Sequence, residues 1–155
     1  MEVSIKQASP DDLGPILLLK PGIDEETVLQ RIGQTQSQRA VYWVAVYDGA
    51  IVGHVFLKFY GKETAPGYPD IEDLYVHASF RRRGIANALL RQCERAARDH
   101  EFKSIGLAVG IEDHPAQILY RGQGYYETGC EPYVDGIYNG VEDWVIDMKK
   151  DLDAE

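Results

Sequence analysis

The chain of 155 residues has little cysteine, little positive charge and no long apolar run. Its two cysteines, Cys93 and Cys130, lie far apart and form no CxxC pair, so neither a disulfide framework nor a zinc site is indicated. Acidic residues outnumber basic ones by 25 to 16, which argues against broad nucleic-acid binding. No secretion signal or membrane-spanning run is visible. We therefore expect a cytoplasmic protein that binds neither nucleic acid nor membrane.

The patterning of the chain predicts one α/β domain. A chain of 155 residues with 45% hydrophobic content can bury one sizeable core but not two. We expect a single domain over residues 1–150 and a frayed C-terminus over residues 151–155. Periodicity predicts the order βααβββαβαββ, with a mixed, largely antiparallel sheet of about seven strands flanked by four helices. The predicted strands span 2–7, 40–47, 50–60, 70–76, 104–109, 125–133 and 141–149, and the predicted helices span about 10–20, a run from 24, 84–99 and 113–121.

Turn signals separate these elements. Asp48-Gly49 stands between two runs rich in Val, Ile and aromatic residues and predicts a β-hairpin. Asp135-Gly136 and Asn139-Gly140 are the turn signals around the last two strands. In the 84–99 helix, Leu89 and Cys93 fall on an apolar face, and Glu94 falls among the charged residues opposite.

A basic turn joins the 70–76 strand to the 84–99 helix. Arg81, Arg82 and Arg83 are followed by Gly84 at the point where the helix begins. Open amides at a helix N-terminus bind anions, a glycine allows a close approach, and arginines donate to phosphate oxygens. The turn thus predicts a phosphate-bearing ligand, and the alternative is a solvated run of charge. The sequence contains no GxxxxGK[ST], and it has a single glycine where a dinucleotide fold has GxGxxG.

Two motifs at a fixed separation resemble the GNAT superfamily of N-acetyltransferases. Residues 81–86 read RRRGIA, which is similar to the family signature of Arg or Gln, two residues, Gly, one residue and Gly or Ala, placed between an apolar strand and a long helix. Residues 116–125 read AQILYRGQGY, similar to the family's short helix ending in Leu-Tyr before Gly and an aromatic residue. The close resemblance covers about residues 70–128, and it implies a GNAT-type fold and a single N-acetyltransferase domain.

The resemblance also implies a binding site for acetyl-coenzyme A (acetyl-CoA) as co-substrate. Its pyrophosphate would lie on the backbone amides of residues 81–86, with Asn87 contributing a side chain. The pantetheine arm would pair with the backbone of Leu74 and Val76, like an extra strand in a splayed sheet. Asp113 stands where the family often has Asn, and it can cap the short helix equally well. The implied cofactor-binding residues are Leu74, Tyr75, Val76, Arg81, Arg82, Arg83, Gly84, Ile85, Ala86, Asn87 and Asp113.

Acetyl transfer to an amine needs a base, a group that polarises the thioester carbonyl, and an acid for the thiolate. Tyr120 lies at the family position of the acid, and the Leu-Tyr context favours this role over the alternative of a packing tyrosine. Glu72 is our first candidate for the base and Asp70 the second, and the alternative is that both only edge the cleft. Strand alternation puts both on one face with Leu74 and Val76 unless a bulge intervenes. The backbone N–H near Leu74 or Tyr75 is the expected carbonyl polariser.

The predicted activity is acetyl transfer from acetyl-CoA to a primary amine by direct attack in a ternary complex, because no nucleophile pattern for an acyl-enzyme is present. Acidic residues favour a cationic acceptor, either a small molecule or a basic peptide terminus. No metal is predicted, because the four histidines lack ligand spacing. A homodimer is compatible with the resemblance. The alternative function is a catalytically silent acyl-CoA sensor or interaction module. The acidic residues concerned are Asp11, Asp12, Asp24, Glu25, Glu26, Asp70, Glu72 and Asp73.

Overall fold

The computed structural model describes residues 2–152. Its strands are β1 Ser4–Gln7, β2 Ala40–Tyr47, β3 Ala50–Lys58, β4 Asp70–Val76, β5 Ser104–Gly110, β6 Tyr126–Glu127, β7 Tyr133–Tyr138 and β8 Val141–Asp151. Its α-helices are α1 Leu13–Leu17, α2 Glu25–Gln36, α3 Ile85–Asp99 and α4 His114–Gly122. Short 3₁₀ turns at Pro10–Asp12 and Ala78–Phe80 precede α1 and α3.

One twisted sheet carries all eight strands in the order β1-β2-β3-β4-β5-β8-β6, and β7 pairs with β8. The β4–β5 pair is parallel, and the other pairs are antiparallel. The predicted α/β class and mixed, largely antiparallel sheet are therefore confirmed. Two-residue β6 raises the strand number from about seven to eight.

The two faces of the sheet are covered by different helices. Alternation along β2 sends Tyr42 and Val44 to a core shared with α1 and α2. The intervening Trp43 joins a larger core on the opposite face, where Leu89 and Cys93 of α3 are fully buried. Both α3 positions were predicted to be apolar contacts. Among residues 2–152, no helix has the length and apolar character needed to cross a bilayer.

The hairpin of β2 and β3 turns where the sequence predicts. Asp48 and Gly49 both have positive φ, at 50° and 78°, which is the backbone combination that a two-residue turn requires. The first helix is shorter than expected, because α1 ends at Leu17 and the chain then passes through turns to Pro21-Gly22.

The C-terminal strands differ from the prediction. The predicted 125–133 strand is wrong: only Tyr126–Glu127 pairs with β8, and β7 begins at Tyr133. Asp135-Gly136 lies inside β7 at a shift of register, so the hairpin turn is formed by Asn139-Gly140 alone. The chain is also ordered beyond residue 150, because Asp151 pairs with Ser104 and the Leu152 N–H donates to Lys103 at 2.8 Å. Residues 153–155 of the predicted frayed end lie outside the described residues.

The sequence predicts Glu94 on the charged, exposed face of α3, and this prediction is wrong, because the residue is only 4% exposed. Its carboxylate accepts a hydrogen bond from the Tyr125 hydroxyl at 2.9 Å and from Lys150 Nζ at 3.0 Å. A buried carboxylate is tolerated where such donors replace water. These partners come from the segment before β6 and from β8, so helical periodicity could not reveal them.

Candidate active site

The sheet opens beside the middle of β4. The strand pairs with β5 only through Asp70 and Ile71, which face Gly106 and Leu107. Beyond Ile71 the two strands diverge. Among the described residues, the edge of Leu74–Val76 that faces β5 has no strand partner. This unpaired edge offers amide and carbonyl groups to an extended ligand.

A β-bulge at Asp73 determines which way the side chains of β4 point. Asp73 has φ +58°, and the β3–β4 register shifts by one residue at this point. Leu74 and Val76 consequently turn to the α3-side core, whereas Asp70, Glu72 and Asp73 line a cavity on the other side. The simple alternation that grouped all four even-numbered residues on one face is therefore wrong beyond the bulge.

The turn before α3 has the backbone shape of an anion site. Arg82 and Gly84 both have positive φ, at 63° and 82°, and no side chain caps the helix at Gly84. Alternating backbone conformations of this kind direct consecutive N–H groups to one concave surface. A Cβ added to Gly84 would meet no atom within 4 Å, so the space beside the turn is open. The glycine is thus required by the left-handed backbone and not by internal packing.

The three arginines of this turn are not equivalent. Arg81 Nε donates to the Val76 carbonyl at 2.9 Å, and its guanidinium lies 5.3 Å from the centre of the Tyr75 ring. Its side chain therefore ties the turn back to the end of β4. Arg83 lies over the Phe80 ring at 5.4 Å. The sequence motif did not reveal that Arg81 supports the strand next to the turn.

Two other predicted cofactor contacts have different surroundings. Asn87 Oδ1, in the first turn of α3, is buried without a hydrogen-bond partner among the described residues. Asp113 Oδ1 accepts from the Ala116 N–H at 3.2 Å and caps α4. Asn87 therefore has unused capacity for a ligand, whereas the Asp113 carboxylate is engaged in the helix cap.

Tyr120 lies in α4 and packs against the α3-side core, with its ring centre 6.1 Å from that of Tyr125. Burial, with a smaller effect from the Asp113 carboxylate, raises the pKa of Tyr120 to about 12. The phenol is therefore protonated at neutral pH. No other described residue forms a hydrogen bond with its hydroxyl, which is free to donate.

A cavity of about 640 Å³ lies between the start of α2, strand β4 and the β7–β8 hairpin, and we call it the acceptor cavity. A neighbouring cavity of about 650 Å³ shares Lys58, Lys62 and Asp135 with it. Of the aromatic residues in the strands, Tyr42 and Phe56 are core residues, whereas Tyr138 lines the acceptor cavity. The charged residues of the acceptor cavity are Lys20, Asp24, Arg31, Lys58, Lys62, Asp70, Glu72, Asp73, Asp135 and Asp143.

The carboxylates of Asp70 and Glu72 are held by two lysines. Lys58 Nζ lies 2.6 Å from Glu72 and 3.7 Å from Asp70, and Lys62 Nζ lies 3.1 Å from Asp70. Lys62 also contacts Asp147 on β8 at 2.9 Å and so tethers the β3–β4 loop. Burial raises the pKa of Asp70 to about 6, and the nearby Lys62 and Lys58 limit that rise. Asp70 is 4% exposed, so Glu72 is the more accessible of the two candidate bases.

A second ionic cluster surrounds Asp73. Its carboxylate accepts from Lys20 Nζ at 2.6 Å and from Arg31 Nη1 at 3.0 Å, and His54 Nε2 lies 3.2 Å away. The Tyr42 hydroxyl is 2.7 Å from His54 Nδ1. His54, one of the four histidines without ligand spacing, is fully buried. No local motif could have brought these residues together, because each belongs to a different element.

Asp135 and Asp143 are the acidic residues at the rim of the acceptor cavity. Neither forms an ion pair with another described residue. Burial, followed by the neighbouring Asp143 and Glu72 carboxylates, raises the pKa of Asp135. Within the described part of the chain, no three histidine, cysteine or acidic side chains are grouped to hold a metal ion.

Comparison with known proteins connects this geometry to a family. Residues 14–125 match the family model of the acetyltransferase (GNAT) family. N-acetyltransferase 8 of Mus musculus is 31% identical over 109 residues, covering 69% of this chain and 45% of the relative. N-acetylaspartate synthetase of Homo sapiens is 28% identical over 92 residues, covering 59% of this chain and 30% of the relative. The chain thus spans less than half the length of these curated relatives.

Solved structures share the fold. An N-acetyltransferase from Staphylococcus aureus Mu50 aligns with a TM-score of 0.81 at 18% identity, covering 99% of this chain and 100% of that one. The PaiA N-acetyltransferase from Thermoplasma acidophilum, solved in complex with coenzyme A, aligns with a TM-score of 0.76 at 17% identity, covering 97% and 99%. The matched residues 14–125 contain the opened strand, the basic turn and the Leu-Tyr helix, and the chain belongs to the acetyltransferase (GNAT) family.

Proposed function

We propose that the protein transfers the acetyl group of acetyl-CoA to a primary amine by direct attack in a ternary complex. The observation that carries this proposal is the gap between β4 and β5. The open turn at Gly84 lies at one end of the unpaired β4 edge, and the side chains of Glu72 and Asp73 face a separate cavity. A thioester bound along the edge would therefore meet an amine from the cavity.

The residues of the gap fit acetyl-CoA chemically. Backbone N–H groups at the start of α3 suit a diphosphate, and the unpaired Leu74–Val76 edge suits the two amides of a pantetheine arm. The buried Asn87 Oδ1 has no hydrogen-bond partner within residues 2–152, and a donor on the ligand would satisfy it. The relative from Thermoplasma acidophilum was solved with coenzyme A bound, which agrees with this assignment.

The proposed reaction moves protons between this chain's own groups. The ammonium of the acceptor loses a proton to Glu72, directly or through a water, and the free amine attacks the thioester carbon. The N–H of Leu74 or Tyr75 stabilises the oxyanion, since the bulge leaves this part of β4 without a strand partner toward β5. The C–S bond then breaks and Tyr120 gives its proton to the thiolate sulfur, while the second proton that the nitrogen loses on becoming an amide passes through solvent to the Tyr120 phenolate and restores it. Asp70 is the second candidate for the base.

Charge in the acceptor cavity supports a cationic acceptor. Lys20 and Arg31 both pair with Asp73, Lys58 pairs with Glu72, and the six acidic side chains that line the cavity outnumber its four cationic ones. Three lining carboxylates form no ion pair with another described residue: Asp24, which caps α2, and Asp135 and Asp143 at the rim. An amine with a further positive charge would therefore be attracted to this rim, whereas an anionic amine would be repelled.

A screen of amines tests the function and the acceptor class together. Free thiol released from acetyl-CoA is followed with cationic, neutral and anionic primary amines. We expect turnover, with the highest kcat/KM for cationic amines. Tight acetyl-CoA binding without turnover of any amine would favour the silent sensor, and a preference for anionic amines would contradict the acceptor class.

Two rim variants sharpen the assignment of the acceptor. Asp135→Asn and Asp143→Asn should each raise KM for a cationic amine by up to about fivefold, as expected for solvent-exposed charge contacts, and should leave KM for acetyl-CoA unchanged. Asp99→Asn, at the exposed end of α3, is the matched control for the loss of one acidic charge. Equal effects of all three substitutions would indicate a general effect of net charge.

A further inference from the structure

Asp73 combines an unusual backbone conformation with an unusually crowded carboxylate. It is the residue of β4 with positive φ, and the strand gains its extra residue there. A bulge of this kind redirects the side chains that follow it and ends regular pairing. The β4–β5 pairing ends at Ile71, just before the bulge, and the Leu74–Val76 edge that follows the bulge faces β5 without a strand partner among residues 2–152. The conformation of Asp73 is therefore directly connected to the shape of the proposed cofactor edge.

The carboxylate of Asp73 contacts three separate elements. Lys20 follows α1, Arg31 belongs to α2 and His54 belongs to β3. Lys20 and Arg31 also line the acceptor cavity. One side chain thus connects the wall of the acceptor cavity to the bulge of the cofactor strand.

His54 is held in one orientation. Burial lowers its pKa, so the ring is neutral, and burial raises the pKa of the Tyr42 hydroxyl to about 12, so the phenol keeps its proton. The Asp73 carboxylate beside Nε2 favours the tautomer that carries its proton on Nε2, and in that tautomer the Tyr42 hydroxyl donates to Nδ1. The Nε2 to Oδ2 distance is 3.2 Å at an angle outside the usual hydrogen-bond range, so the contact is mainly electrostatic.

These contacts make Asp73 a poor proton acceptor. Burial alone would raise its pKa, but the contacts with His54 and Lys20 outweigh burial and hold the pKa well below the usual range. A carboxylate whose pKa is held well below the usual range is a weak base and is therefore unsuited to take a proton from an amine. Its position at the bulge needs another explanation.

We propose that Asp73 is a positioning residue whose contacts with Lys20, Arg31 and His54 hold the β4 bulge and thereby keep the Leu74–Val76 edge open for acetyl-CoA. The inference rests on the proposed function, because it assigns that edge to the pantetheine arm. The carboxylate acts through the backbone of β4 and does not touch the reacting atoms.

The test compares two ligands that share the turn but differ at the β4 edge. Acetyl-CoA carries the pantetheine arm, whereas 3′-phosphoadenosine 5′-diphosphate carries the diphosphate and lacks the arm. Asp73→Asn keeps the size of the side chain and its tolerance of positive φ but removes the charge. We expect it to weaken acetyl-CoA affinity about tenfold, the equivalent of one or two backbone hydrogen bonds, and to leave the affinity of the fragment unchanged.

Two further variants separate positioning from general damage. Asp48→Asn is the matched control, because Asp48 is an exposed aspartate with φ +50° in the β2–β3 turn. Lys20→Met removes the ion pair with Asp73 and the contact of Lys20 Nζ with the Tyr75 ring, whose centre lies 4.8 Å away, so a smaller loss of acetyl-CoA affinity than in Asp73→Asn is expected. In the Asp73→Asn background, Lys20→Met should cost less than it does alone, because the ion pair is already broken. Fully additive losses of acetyl-CoA affinity would contradict the role of the Lys20–Asp73 ion pair.

The outcomes are distinct for the two proposals. Unchanged acetyl-CoA affinity in Asp73→Asn, or an equal loss for both ligands, would overturn the positioning role. Where turnover is measurable, the acid limb in the pH profile of activity should keep its inflection in Asp73→Asn. Loss of that inflection in the variant would indicate that Asp73 is the base. If the unaltered protein bound neither ligand, the proposed function would fall, and the positioning role with it.

Discussion

Substitution of Gly84 can distinguish an effect on backbone strain from an effect on ligand binding. It has φ +82°, and the space next to its α-carbon is open. Gly49, in the β2–β3 turn, is nearly identical in both respects, with φ +78° and no atom within 4 Å of an added Cβ. Gly84→Ala and Gly49→Ala should thus meet the same strain, and only the first lies in the proposed cradle.

Backbone strain sets the expected loss of stability, and a lost hydrogen bond to the diphosphate sets the expected loss of affinity. A non-glycine residue in the left-handed region costs about 1–2 kcal/mol, so both variants should lose about this much free energy of unfolding. Any relaxation at Gly84 would also turn an amide away from the diphosphate. A hydrogen bond to a charged group contributes about 1.5–3 kcal/mol, so Gly84→Ala should weaken acetyl-CoA affinity about tenfold to a hundredfold.

The assays are urea unfolding for stability and calorimetry for acetyl-CoA affinity. Matched losses of stability with a loss of affinity confined to Gly84→Ala would support the cradle. Gly84→Val, with a bulkier side chain, should weaken binding further. Wild-type affinity in Gly84→Ala, or an equal loss in Gly49→Ala, would refute the assignment of the diphosphate to this turn.

Three further substitutions test other parts of the structure. Tyr120→Phe should lower kcat by at most about a hundredfold and leave acetyl-CoA affinity unchanged, because a thiolate can leave without its acid; an unchanged kcat would restrict Tyr120 to packing. The deprotonated form of a base is the active one, so if Asp70 is the base, kcat/KM should fall below pH of about 6 and Asp70→Asn should lower kcat/KM and remove this limb from the residual activity; an Asp70→Asn enzyme with unchanged kcat/KM and an unchanged limb would leave Glu72 as the base. Glu94→Ala should destabilise the protein by about 3 kcal/mol in urea unfolding, and Glu94→Gln should destabilise it by less. This value is at the lower end of the range for breaking a buried ion pair, because the Lys150 side chain is 21% exposed.

Local patterns predicted the elements that local chemistry controls. The bounds of β4, the Asp48-Gly49 turn and the start of α3 depend on residues next to one another, and all three are found where the sequence indicates. The burial of Glu94 was missed because its two partners are distant in sequence. Helical periodicity reports which face is polar on average and not which charged residue finds a partner.

The acceptor side was harder to predict for the same reason. A single aspartate with positive φ has no sequence signature, yet Asp73 changes the faces of the residues after it. The partners of Asp73 come from the segment after α1, from α2 and from β3, so the cluster exists only once the sheet is assembled. The turn before α3 was predictable because its open backbone shape is built from consecutive residues.

The cationic residues of the acceptor cavity are best understood through their partners. Four cationic side chains face the cavity, which would be expected to repel a cationic amine, but six acidic side chains line it as well. Lys58 and Lys62 lie against the partly or fully buried carboxylates at the base of the cavity, and both favour the ionised form of Asp70. Without these lysines, burial would drive the Asp70 pKa still higher and remove negative charge from the cavity. The positive residues therefore maintain the negative charge that a cationic acceptor would meet.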